Sequence, residues 1–353
     1  MMEPRPDTRT RFDAILLFSF GGPEGPDDVI PFLENVTRGR NIPRERLAVV
    51  GEHYALFDGV SPINQQNRDL LAALREDLAA GGIDIPVYWG NRNWHPYLAD
   101  IAQRMVADGH RRVLTLVTSA FGSYSGCRQY REDLDAASAA LDGALEFTKV
   151  RLYWNHPGFL DAAASRIEDA LESLDAGARP RARLVFTAHS IPTAWTASSP
   201  YVRQLEEAAA LLAERTAADL EWDLVYQSRS GPPAVPWLEP DIVDHLHDLD
   251  TAGVETVVIV PLGFVSDHME VVYDLDTEAR ATASALGIHL IRAGTAGTHP
   301  AFIRGLRALI EEEMHNQPAL AAVGEPWPNP CPAGCCERPT RPASDPGPVD
   351  TAG

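Results

Sequence analysis

The feature that most constrains this chain is an alternation. Short apolar runs at residues 14–20, 86–89, 113–117, 182–187, 224–226, 257–262 and 288–291 are separated by stretches of helical period, notably 67–80, 128–141, 160–174, 201–218, 277–286 and 300–316. Apolar runs this short, bounded by turn residues, read as strands buried on both faces, which is the signature of a parallel sheet. Parallel strands need crossovers, and the intervening helices supply them with right-handed sense. The prediction is an α/β protein with two doubly wound, Rossmann-like domains and a cleft between them. Its 353 residues suffice for two cores. Seams are expected near 153–158 and 294–300, and no internal sequence repeat is evident.

Composition then removes whole classes of function. A net charge of −20 at pH 7 argues against nucleic acid and anionic membrane surfaces, which require a basic footprint, and favours cations instead. No run of about 18 apolar residues occurs, and Met1 to Arg11 lack the apolar core of a secretory leader, so a cytoplasmic protein without a transmembrane segment is expected. From residue 326 the chain becomes proline-rich and poor in large aliphatics, and reads as a tail that cannot form its own core. Three of only four cysteines lie there, in Cys331-Pro332-Ala333-Gly334-Cys335-Cys336; the fourth is Cys127. Four thiols are too few for a disulfide scaffold in a chain of this size.

In open α/β sheets ligands gather beyond the carboxyl ends of the strands. The first such turn, Phe20-Gly21-Gly22-Pro23-Glu24-Gly25-Pro26, lacks dinucleotide-binding spacing and carries two prolines. Another strand runs directly into Ala188-His189-Ser190-Ile191-Pro192, placing an imidazole at a strand end. The strand at 257–262 leads into Ser266-Asp267-His268-Met269-Glu270, and if a helix starts near Ser266, then Glu270, Asp274 and Glu278 share one face. A solvated acidic surface would look similar, and Val271, Val272 and Leu275 supply an opposite apolar stripe. Location just after a strand favours a divalent-cation path, with at least one carboxylate raised in pKa so that it exchanges protons. The imidazole and the acids are expected to converge on a shared hollow. Gln227-Ser228-Arg229 and Pro236-Trp237-Leu238 follow a further strand and read as a packed loop or a wall for a flat aromatic ligand.

Together, Phe18-Ser19-Phe20-Gly21-Gly22-Pro23, Gly59-Val60-Ser61-Pro62-Ile63, Ala188 through Pro192, the Gln227 and Trp237 segments, and Gly263 through Glu278 resemble the ferrochelatases, in the family's order along almost the whole chain. The resemblance implies a chelatase-like fold and insertion of ferrous iron, a substrate, into a porphyrin held in the cleft. It implies a first domain at 11–155 joined by a returning helix at 298–317, a second at 156–297, and the tail at 318–353. It makes His189 and Glu270 catalytic, Asp267 and His268 the polar pair before the glutamate, and His189, Glu270, Asp274 and Glu278 the metal-handling set. Phe20, Tyr54, Ser61 and Tyr124 fall in segments resembling the family's cleft lining, with Arg38 and Arg40 on a basic loop suited to anionic propionates. Phe20 stands where many relatives carry a tyrosine, and His53 where some carry an arginine.

Cys127, Cys331, Cys335 and Cys336 resemble the ligand set of actinobacterial-type ferrochelatases that hold a [2Fe–2S] centre of structural role; zinc is the rival occupant. By the same resemblance coproporphyrin III is the expected substrate and protoporphyrin IX the alternative. A non-catalytic porphyrin or heme carrier and a cobalt chelatase are the competing readings. A monomer is expected, since a cleft within one chain demands no partner.

Overall fold

The computed structural model describes residues 11–39, 42–231 and 234–338; Arg40 and residues 339–353 of the tail lie outside the described residues. The described residues form eight strands: β1 (Ala14–Ser19), β2 (Val87–Asn91), β3 (Arg112–Val117), β4 (Glu146–Lys149), β5 (Arg183–His189), β6 (Trp222–Gln227), β7 (Thr256–Val260) and β8 (His289–Arg292). They form two four-stranded sheets, ordered β2-β1-β3-β4 and β6-β5-β7-β8, in which every pairing is parallel. The second order is the first with each strand number raised by four. One winding is therefore used twice, as the two-sheet reading required.

Helices cover both sheets because the central strands are apolar on both faces. All six residues of β1 and all five of β7 are buried. Phe18, fully buried, meets Tyr130 edge-on at 5.0 Å; truncating such a ring to alanine typically costs about 3–5 kcal/mol. The edge strand β4 is different, since Glu146-Phe147-Thr148-Lys149 is at most half-buried.

The last helix, Pro300–His315, returns to the middle of the molecule. It packs on Pro157–Glu172, which precedes the second sheet, and on Ile63–Ala80, which belongs to the first. The first of these contacts is backbone-close: a Cβ on Gly158 would stand 2.7 Å from the Cα of Gly305. Arg307 ties the helix to Asp77 on the other side at 2.7 Å. Beyond it, residues 318–338 run back along the protein surface. The Asn155 amide donates to the carbonyls of Val323 and Glu325, each at 2.9 Å, and Trp327 packs against the core. The described part of the tail thus docks on a core it does not itself build.

Among the described residues, no helix is long and apolar enough to cross a membrane.

Candidate active site

His189 is the last residue of β5. The chain after β7 comes up against it because Gly263 lies directly over Ala188, where an added Cβ would be 2.7 Å from the alanine Cβ; the Gly263 N–H donates to the Thr187 carbonyl at 3.0 Å. Five residues on, the His268 Nδ1 accepts the Glu270 N–H at 3.1 Å and caps a one-turn helix, Met269–Val272. That cap delivers the Glu270 carboxylate to the strand end. Its Oε1 lies 3.5 Å from His189 Nε2 and its Oε2 3.8 Å from His268 Nδ1.

The electrostatics follow from this contact. Burial alone lowers an imidazole pKa, but the Glu270 charge and hydrogen bond, the Ser190 carbonyl and Asp274 together lift His189 to about 9. Burial works against the Glu270 carboxylate too, yet His189 and then His268 hold it well below the ordinary range. His268 is lowered, chiefly by burial, and stays a neutral acceptor at its cap. At neutral pH the pair is imidazolium and carboxylate. Asp274 goes the opposite way: burial, then the charges of Glu270 and Glu278, raise it to about 7 despite the hydroxyl of Ser228 donating to it. Of the three acids in the row, Asp274 is the one whose carboxyl is raised.

The acids do not sit on one continuous α-helix. After Val272 the backbone changes to a π-helical turn, Asp274–Ala279. Asp274 still feels both neighbours, so the three carboxylates share a field. Among the described residues, no group of three or more His, Cys, Asp or Glu side chains is arranged to hold one metal ion, so the acids form a row rather than a chelate. The expectation of a hollow between imidazole and acids also changes: His189 Nε2 and Glu270 Oε1 are 3.5 Å apart, so no hollow separates these two side chains.

The elements around the first sheet face this segment with aromatic residues. Phe20, directly after β1 and 36% exposed, stands 6.3 Å from Phe32, which meets Tyr54 and Trp94 edge-on at 6.1 Å each. Tyr54 is buried in the same cluster as Met269, and its hydroxyl pKa is raised by burial, Glu270 and Asp274 in that order. His53 stacks on Tyr273 at 3.8 Å with the rings 8° from parallel. Ser61 is buried, its N–H donating to the Pro23 carbonyl at 2.9 Å. Tyr124 lies further along, 5.4 Å from Trp195, with its hydroxyl on Glu132 at 3.2 Å. Arg38 is exposed after the helix Pro26–Val36, where its charge acts on Tyr97. Arg40 lies outside the described residues.

A ferrochelatase family model matches residues 12–314. The chain belongs to the ferrochelatase family. It is 54% identical to the coproporphyrin III ferrochelatase of Streptomyces coelicolor, over 94% of this chain and 96% of that protein. It is 51% identical to the coproporphyrin III ferrochelatase of Nocardia farcinica (94% and 98%), and 52% to the ferrochelatase of Rhodopirellula baltica (92% and 93%). Among solved structures, SirB from Bacillus subtilis superposes with a TM-score of 0.55 over 86% of this chain and 96% of that one; at 13% identity it speaks for the chelatase fold alone.

Within this family frame, several residues at the site carry roles that no spacing rule exposes. Gln227, opposite His189 in the β5–β6 ladder, donates its amide to the Glu270 carbonyl. Ser228 reaches Asp274 from a backbone with φ +61°. Gln66, from the other domain, accepts the Asp267 N–H at 2.8 Å. The usable signal was position alone, since Gln227 and Ser228 follow a strand end. Trp237 packs at van der Waals distance on Gly231 and bridges to Pro192, which makes the Trp237 loop a packed support for the His189 turn.

The four cysteines are neighbours pair by pair, although among the described residues no three of them are arranged to hold one metal ion. Cys335 and Cys336 have sulfurs 3.4 Å apart, Cys331 hydrogen-bonds Cys127, and Cys335 feels Cys331 and Cys127. The thiol of Cys331 is raised by the bond to Cys127 and by burial, that of Cys335 mainly by burial. The segment also reaches the second domain: the Cys336 N–H donates to the Ser198 carbonyl at 2.7 Å.

Proposed function

We propose that the chain inserts ferrous iron into coproporphyrin III, with His189 and Glu270 at the reacting centre. The observation that carries this reading is the 3.5 Å contact between an imidazole at one strand end and a carboxylate delivered from the next. A carrier of porphyrin or heme needs an apolar cleft but no such pair, and no row of acids leading to it.

The chemistry requires two pyrrole protons to leave while a hydrated dication sheds water. In the resting pair the imidazolium neutralises Glu270. A dication arriving at Glu270 takes over that neutralisation, and its charge lowers the His189 pKa from about 9, so the imidazole gives up its proton and becomes a base for a pyrrole N–H. Asp274, near 7, is poised to exchange the other proton with solvent, a task for which the depressed Glu270 is ill suited. Glu278 and Asp274 form the approach for the metal. Phe20, Tyr54, Ser61 and Tyr124 line the porphyrin side, with Arg38 available to the anionic propionates.

Coproporphyrin is preferred over protoporphyrin because the curated relatives cited from Streptomyces and Nocardia carry that name over almost their full lengths. Anaerobic assay with each porphyrin decides it: coproporphyrin III is expected to be metallated at least about 10-fold faster in kcat/KM, and faster turnover of protoporphyrin IX overturns the assignment.

We further infer that Cys127, Cys331, Cys335 and Cys336 hold a [2Fe–2S] cluster. The donor set fits, being four thiols without a carboxylate, and a two-iron centre asks for two thiolates on each iron rather than one single-ion chelate. When bound, the cluster supplies cross-linking rather than chemistry. Protein purified without air is expected to be coloured, with equal iron and sulfide; a colourless zinc protein contradicts this.

A further inference from the structure

Asp267 and Asp276 bracket the segment that carries His268, Glu270 and Asp274, and neither belongs to the set of His189, Glu270, Asp274 and Glu278. Both are gripped by one side chain. Arg292, the last residue of β8, gives its Nε and Nη2 to the two oxygens of Asp276, each at 2.8 Å, and its Nη1 and Nη2 to those of Asp267 at 3.2 and 3.3 Å. The guanidinium is 13% exposed and the carboxylates 21% and 28%. Arg280 also reaches Asp276, from the solvent side, at 3.4 Å. Arg292 pairs with Ile259 of β7, so the anchor is part of the sheet itself.

The bracketed segment is helical but irregular. The turn Met269–Val272 runs through Tyr273, itself right-handed helical, into the π-helical Asp274–Ala279 and on into Arg280–Leu286, and a π stretch inside a helix is a rare form often found at functional sites. A fixed partner outside the helix sets where the carboxylates of that irregular stretch stand. A planar fork with several fixed donors does this where a lysine cannot, because bidentate pairing sets orientation as well as distance. The same cation neutralises acids that would otherwise compete with the row for an incoming metal.

We propose that Arg292 is a positioning residue for metal delivery: by holding Asp267 and Asp276 it sets where Glu270 and Asp274 stand and keeps the metal on that row. This rests on the reading of the row as the metal's approach. The test is steady-state metallation of coproporphyrin III by ferrous iron without air, with KM measured separately for each substrate, in Arg292→Lys, Arg292→Gln, Asp276→Asn and Asp274→Asn. Arg292→Lys keeps the charge but loses the fork, and is expected to raise the iron KM about 10-fold with the porphyrin KM within twofold; Arg292→Gln is expected to be worse, toward 100-fold. Asp276→Asn moves the iron KM the same way. If Arg292→Gln does not fold, the lysine and asparagine variants decide by the same criterion. Iron and porphyrin KM rising together in the Arg292 variants, or an unchanged iron KM there while Asp274→Asn is impaired, overturns the proposal. An unchanged iron KM in Asp274→Asn removes the row's assigned role and the proposal with it.

Discussion

The carboxyl ends of the two sheets can be compared strand for strand, because both have the same order. At the first, buried Ser19 accepts from Asn67 at 3.0 Å and from Thr118 at 2.8 Å, while Asn91 bonds Asn64, and Asn64 the Gly22 carbonyl, each at 3.1 Å. The side chains of this hydrogen-bonded network are neutral, although Arg92, just after β2, is paired with Asp133 beside it. At the second, the last position of β5 holds His189, and the helical turns that follow the loop after β7 hold Glu270 and Asp274, all ionisable and all displaced from ordinary pKa values. The winding supplies a location. The residues at the strand ends decide whether it becomes a rigid floor for a ligand or a reacting centre.

The sharpest way to break this comparison is at the charged end. Glu270→Gln removes the counter-charge of His189 and is expected to lower kcat about 100- to 10,000-fold with little change in melting temperature. His189, left with burial as its dominant influence, is expected to titrate below 6.5 instead of near 9, as followed by NMR of the imidazole. Retained turnover contradicts the account.

The next largest effect concerns Asp274. Its ionised form, dominant above about 7, attracts the metal, so iron insertion is expected to rise with pH through that value. Asp274→Asn is expected to lose about 10-fold in rate at pH 8 and to abolish that limb of the profile. A limb that persists in the variant assigns it to another group.

The neutral end predicts the reverse pattern. Asn67→Leu removes one of the two donors to the buried Ser19 hydroxyl, leaving Thr118 as the other, and is expected to cost about 1–3 kcal/mol of stability, read by denaturant unfolding, while the folded fraction keeps a kcat within about threefold. A large kcat loss at unchanged stability would show that this end is chemical as well.

How much of this was legible follows the same physics. Buried parallel strands announce themselves by composition, so β1, β5 and β7 were readable almost to the residue. The strand β4 was not, because an edge strand of Glu, Phe, Thr and Lys lacks the apolar run. The helix Pro26–Val36 was obscured by prolines at its start and at Pro31, and Arg44–Ala55 buries only Leu47 and Tyr54. The doubled winding leaves no sequence repeat, since topology is set by strand order rather than by matching side chains. His189 and Glu270 could be read from strand-end position. Gln66 and Arg292 could not, because they act on loop backbone and carboxylates brought near only by the fold.

The smallest effect separates the pair from the scaffold. The raised His189 contributes stability that is complete below 6.5 and lost as pH rises through about 9; Glu270, depressed, contributes above 4.5 and loses it only in strong acid. With Glu270 46% exposed, the loss between pH 6 and 10 attributable to the pair should stay below about 1 kcal/mol. It is read as the difference between the wild type and Glu270→Gln, and a larger difference assigns the pair to the fold rather than to chemistry.

The most direct measurement is a double-mutant cycle on ferrous iron insertion into coproporphyrin III with His189→Ala, Glu270→Gln and the two combined. Groups that act as one unit are grossly non-additive, so the double variant is predicted to be no slower than the slower single variant. Losses that multiply, or single variants that turn over like the wild type, would contradict it.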